Sequence, residues 1–112
     1  MNLETIYSIL NTVLKDKVFY SINVYDNEDN ASMPYIVYQE ISKKPGGYHD
    51  NVPIFYVSEI QITLVTKKKD LALEANLEKA LLKNGLSFSL LAETHNSDKS
   101  INRVYEIKME EI

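Results

Sequence analysis

The sequence predicts one α+β domain: a mainly antiparallel β-sheet with two α-helices packed on one face, in the order α-β-β-β-α-β-β. Three observations carry this reading. Two segments repeat apolar residues every three or four positions, the spacing of a helix that buries one side. Several others are rich in β-branched and aromatic residues, and the clearest of them alternate apolar with polar. Strands joined by hairpins and polar on one side need cover on the other, and two amphipathic helices supply it. At 112 residues the chain is one domain, residues 1–112, able to bury about 65% of its unfolded surface without staples.

The first helix is predicted over Asn2 to Lys15, with Leu3, Ile6, Tyr7, Leu10, Val13 and Leu14 as its stripe and Asn2 as its N-cap. Val18 to Tyr25 reads as a strand and Asp26 to Ser32 as a polar turn-forming loop. Pro34 to Thr66 organises the rest. Its first run, Pro34 to Ile41, and its second, Ile54 to Val65, are joined by a polar loop, Lys43 to Asn51, that contains Pro45, Gly46 and Gly47. The second run would span about 40 Å, twice an ordinary strand. Ile60, Ile62 and Leu64 face one side of it, and Glu59, Gln61 and Thr63 the other. Phe55, Tyr56 and Val57 are apolar on both sides, a surplus that a bulge or a partner chain would explain.

Lys67 to Asp70 leads into the second helix, Asp70 to Lys83. Its stripe is Leu73, Leu77, Ala80 and Leu81, with Leu71 and Leu82 at the margins. Lys79 and Lys83 suit the C-terminal end of its dipole, and Asn84-Gly85 is a C-cap signal. Leu86 to Ala92 reads as a strand and His95 to Ser100 as a turn. The last strand, Arg103 to Glu111, turns Tyr105, Ile107 and Met109 inward and Glu106, Lys108 and Glu110 outward.

The chain has no cysteine, which excludes disulfides and thiolate metal sites and fits a reducing compartment. Met1 to Thr5 lacks the features of a signal peptide, and no apolar run reaches the 18 or so residues of a membrane span. The net charge of −4 argues against broad nucleic-acid binding. That charge sits in the first half: residues 1–66 hold four lysines against eight acidic residues, whereas residues 67–112 balance at eight and eight.

Candidate chemistry is sparse, and the chain is read as a non-enzyme with no cofactor and no metal. His49-Asp50 and His95 with Asp98 suggest acid–base or metal pairs, but neither histidine has a second His or Cys close by, and zinc takes three or four such ligands. Solvated loop histidines are the preferred reading. Asp26, Glu28 and Asn30 match the opening of a calcium loop, but Ala31 and Val37 stand where Gly and Glu are required. Gly46-Gly47 belongs to no phosphate-binding pattern, Lys67 to Lys69 reads as a solvated turn, and no nucleophile motif occurs. Tyrosine is the unusual feature, with eight in the chain. Tyr35 and Tyr38 alternate with Ile36 and Val37 on a strand with no polar side before Gln39, a pattern that suits a sheet edge or an interface.

Nearly the whole chain resembles the phage tail completion or tail terminator family, small proteins at the head-proximal end of long tails. The resembling features are a short opening helix and a polar stretch ending in Met33-Pro34-Tyr35-Ile36-Val37-Tyr38-Gln39. They continue with a loop bearing Gly46-Gly47, the strand Val57 to Val65, a helix reached through Lys67 to Asp70, and a closing β pair. Family members usually have more residues between the first helix and Met33. The resemblance implies an α+β fold and a homo-oligomeric ring, hexameric in the well-known members. Such a ring caps the major tail tube protein, stops its growth and offers a surface to the head-tail connector, in the virion and, during assembly, in the host cytoplasm. DNA would pass through the lumen without specific binding. In such a ring Tyr35, Tyr38, Phe55, Tyr56 and Val57 would seal a head-to-tail interface. Lys43, Lys44, Tyr48, His49 and Asp50 would face the lumen or the tail tube. The competing readings are a head-closure or neck connector protein, a dimeric regulatory or ligand-binding module, and a metal-dependent hydrolase built on His49, Asp50, His95 and Asp98.

Overall fold

In the structure, a computed structural model that describes residues 1–21 and 32–111, helix α1 (Leu3–Asn11) starts where the Asn2 side chain accepts a hydrogen bond from the Thr5 amide. It is one turn shorter than its apolar stripe. The amides of Val13 and Leu14 still bond back to Leu10, and both side chains still pack on the core, but Asp16 turns the chain at φ 61°. Strand β1 (Val18–Tyr20) follows. The expected continuation through Ile22 to Tyr25, most of the polar loop at 26–32, and the rejected calcium loop lie outside the described residues.

Strands β2 (Tyr35–His49) and β3 (Val52–Thr66) form a hairpin much longer than predicted. The loop expected at Lys43 to Asn51 is almost entirely strand. Only Asp50 and Asn51 make the turn, at φ 51° and 66°, the double positive φ of a two-residue type I′ connection. Polar and Gly/Pro composition misled the reading here, because it signals a loop only where the residues cannot pair. Pro45 pairs with Tyr56 and Gly47 with Phe55, across an irregular register. Helix α2 (Leu71–Lys83) has Asp70 as its N-cap and ends at Asn84, with Gly85 at φ 77°. Strand β4 (Phe88–His95) starts two residues later and ends three residues later than expected, so His95 is in a strand and the turn is Asn96 to Ser100. Strand β5 (Ile101–Glu111) closes the fold.

The sheet order is β1-β2-β3-β5-β4, antiparallel throughout except that β1 runs parallel to β2. Both helices cover one side. Ile6, Ile9 and Leu10 of α1 and Leu77 and Leu81 of α2 meet Ile36, Tyr38, Ile60, Ile62, Leu64, Tyr105, Ile107 and Met109 of the sheet. Each fully buried Ile or Leu contributes about 1.5–3 kcal/mol of transfer free energy. The inward residues foreseen for β3 and β5 are those found inside.

Candidate interaction surface

The helices cover only part of the sheet. Strand β1 reaches no further along β2 than Tyr38, and β5 ends at Glu111, opposite Tyr56. Beyond those points β2 and β3 pair only with each other among the described strands, as an arm that contributes to a molecule of 53 × 28 × 24 Å. Ser58, wholly buried opposite Met109, marks where the covered sheet ends. Past it the large apolar residues are open to solvent: Tyr48, Val52 and Ile54 are each more than half exposed, and Tyr56 is exposed too.

Three irregularities shape the arm. Ile41 is an extra residue between the pairs Glu40–Ile60 and Ser42–Glu59, Gly46 another between Pro45–Tyr56 and Gly47–Phe55, and Ile54 a third on β3. The Phe55 ring lies flat across the two glycines. A Cβ on Gly46 would overlap the Phe55 ring, and one on Gly47 would come within 3.0 Å of Cε1, so a side chain at Gly46 requires the ring to move. Lys43 Nζ stands 5.3 Å from the Tyr56 ring centroid and 3.8 Å from a Glu111 carboxylate oxygen.

The residues expected at an interface therefore separate into two sets. Phe55 lies on the arm and Tyr56 and Val57 at its base, where they still pair with Glu111 and Glu110; Tyr56 is on the helix side of the sheet, Phe55 and Val57 on the other. Tyr38 lies in the core, with its ring 5.1 Å from that of Tyr20 and 6.5 Å from that of Tyr7. Burial, then the neighbouring Tyr7 and Tyr20, raise its phenol above the ordinary range. It packs mainly in this chain's own interior and leaves little surface for a neighbour. Tyr35, half-buried, sits edge-on to Phe19 at 6.2 Å, near the start of β2 and far from the arm. Lys43, Lys44, Tyr48 and His49 are strand residues, and Asp50 is in the turn.

The histidines sit in open surroundings. His49 Nε2 is 3.4 Å from Asp50 Oδ2, with both side chains more than 80% exposed. Asp98 accepts hydrogen bonds from the Ser100 amide and hydroxyl at 2.9 and 2.6 Å; the hydroxyl bond first, then the amide, holds its carboxyl below the ordinary range. Among the described residues no three His, Cys, Asp or Glu side chains converge as metal ligands, and no helix is long and apolar enough to cross a membrane.

An ionic cluster that sequence reasoning missed fastens α2 to β4 and β5. Arg103 reaches Glu78 at 3.2 Å, Glu93 at 3.1 Å and Glu74 at 3.5 Å. Lys69, exposed in the turn as expected, also bridges Glu74 and Glu93 at 2.9 and 2.7 Å. The Tyr105 hydroxyl donates to Glu78 at 2.6 Å and accepts from Arg103 Nε at 2.6 Å. Burial, then the Glu78 hydrogen bond, push the Tyr105 phenol far up. The Lys69 hydrogen bond, then the one from Arg103, hold the Glu93 carboxyl down. Every acid here faces a cation or a hydroxyl of its own chain, an arrangement suited to holding a helix in place. The residues come from α2, two strands and a turn, with no sequence spacing to mark them.

Compared with known proteins, the chain matches no family model, and no curated protein sequence is significantly similar to it.

Proposed function

We propose that this chain is a structural protein of a phage or prophage virion, a tail terminator that closes into a ring at the head-proximal end of the tail tube. The resemblance carried by Met33 to Gln39 and by the order of elements suggests the family. The observation that best supports the mechanism is the arm: Tyr48, Val52 and Ile54 are more than half exposed and Tyr56 is exposed beside Lys43, and burying them against a neighbouring copy would cover them. A contact between unlike surfaces of identical chains generates a ring when its rotation closes. The ring's job is mechanical: it caps the polymerised tube, stops its growth and presents a surface to the head connector. A chain of net charge −4 suits a lumen through which DNA must slide, since a basic channel would retain the phosphates.

Two measurements test this reading together. Tail tubes polymerised from the cognate major tail protein should vary in length alone and become capped and uniform when this protein is added. Tyr56→Asp should abolish both the cap and the oligomer while leaving a folded monomer. Tubes indifferent to the wild-type protein overturn the terminator reading, and an unchanged oligomer mass for the variant overturns the interface.

A further inference from the structure

The arm is not uniform along its length. From Ser42–Glu59 to Pro45–Tyr56 its strands pair residue for residue, and Val57 and Tyr56 are also held by β5 through Glu110 and Glu111. At the far end Tyr48–Pro53 and His49–Val52 close on the turn at Asp50 and Asn51. Between these stretches stands a single pair, Gly47–Phe55, flanked by the extra residue Gly46 on β2 and the extra residue Ile54 on β3. A bulge leaves its extra residue outside the ladder, so the pairing is interrupted on both strands at nearly the same level. No third described strand reaches this level to hold the ribbon from the side.

Side chains hold the two sides of this gap unequally. On the near side Lys43 Nζ lies 3.8 Å from a Glu111 carboxylate oxygen and 5.3 Å from the Tyr56 ring centroid, which fastens the base. On the far side Tyr48, His49, Asp50, Asn51 and Val52 are all exposed. Within the gap Gly46 and Gly47 offer only backbone, and the half-buried Phe55 ring stands against both. A segment with exposed backbone pairing and little buried apolar contact moves at small cost in free energy.

We infer that Tyr48 to Pro53 forms a jointed tip, pivoting at Gly46, Gly47 and Ile54, with the Phe55 ring as the clasp that keeps its orientation. Glycine suits a pivot because it accepts backbone rotations that a Cβ forbids. The joint lets the exposed Tyr48 and Val52 be re-aimed at a surface while the sheet that carries them stays rigid. This property belongs to the single chain and stands whether or not copies close into a ring.

The chain has no cysteine, so paired spin labels can be placed without background. Two full-length double variants share Thr94→Cys as the reference, on β4 level with Val65 and far from the arm. One adds Val52→Cys in the tip, the other Lys44→Cys at the base. Each is diluted into unlabelled wild-type protein, so that double electron–electron resonance reads distances within one chain. The expected result is a broader distance distribution for the tip pair than for the base pair. Phe55→Ala should broaden the tip pair further and leave the base pair as it was, which also shows that the variant is folded. Equal widths for the two pairs without that change overturn the inference, because the arm would then be one rigid ribbon. Broadening of both pairs by Phe55→Ala, or of neither, overturns the role given to the ring.

Discussion

Ile62 and Ile54 lie on the same strand, eight positions apart, and live in different surroundings. Ile62 is fully buried beneath the helices, whereas Ile54 is 54% exposed near the tip of the arm. The strand chemistry is the same; only the cover differs. The covered half answers to the folding of one chain, and the bare half to whatever it meets, so damage to the two should register in different experiments.

The sharpest contrast comes from truncating both isoleucines. Ile62→Ala removes atoms from a closed core and should cost about 2–5 kcal/mol, a loss visible in chemical denaturation. Ile54→Ala should fall within about 0.5 kcal/mol of wild type in the monomer, as surface changes do. Equal losses would erase the distinction, since the arm would then be part of the folding core.

Acid should act on the covered half through the ionic cluster. Glu93 has its carboxyl lowered from 4.5 by Lys69 and Arg103. Its contribution is complete above that unfolded value and disappears as pH falls through the folded one, where the unfolded chain binds the extra proton. Glu93→Gln should therefore be less stable than wild type near neutrality, with the difference closing as the pH falls below the unfolded value. Denaturant titrations across that range check it, and a gap that widened on acidification would contradict the assigned contacts.

A modest and local effect is expected of Gly46→Ala. The new methyl group must displace the Phe55 ring, so backbone amides of the arm should exchange faster while those of residues 59–66 keep their protection. The global cost should stay near or below about 1 kcal/mol. Adding Phe55→Leu should restore part of the arm's protection, and no coupling between the two changes would mean that the ring does not seat on the glycine.

What the sequence disclosed follows the same division. The stripes of α1 and α2 and the alternation of β5 were legible because burial on one side imposes a period, although Tyr7 of the expected α1 stripe is exposed and the buried Ile9 and Glu74 lie outside the expected sets. The arm was legible as a surplus of apolar residues but not as paired strand. Lys43 to Gly47 has the composition of a loop but pairs with β3, where the Phe55 ring stands against the two glycines. Tyr38 could have been placed inward from Ile36, two positions earlier on the same side; its type suggested an interface, and its phase decided otherwise. The Arg103 cluster had no sequence signal, since its members converge only after α2 has docked on the sheet.

The extra residue at Ile41 has a consequence for how such a chain can vary. Before it, even-numbered residues of β2 face the helices; at Lys43 and Pro45, odd-numbered ones do. Deleting that single residue would leave regular pairing, Glu40–Ile60 followed by Ser42–Glu59 and Lys43–Ser58, with Lys43 still on the helix side, so the bulge lets the strand take in one residue without exchanging its faces.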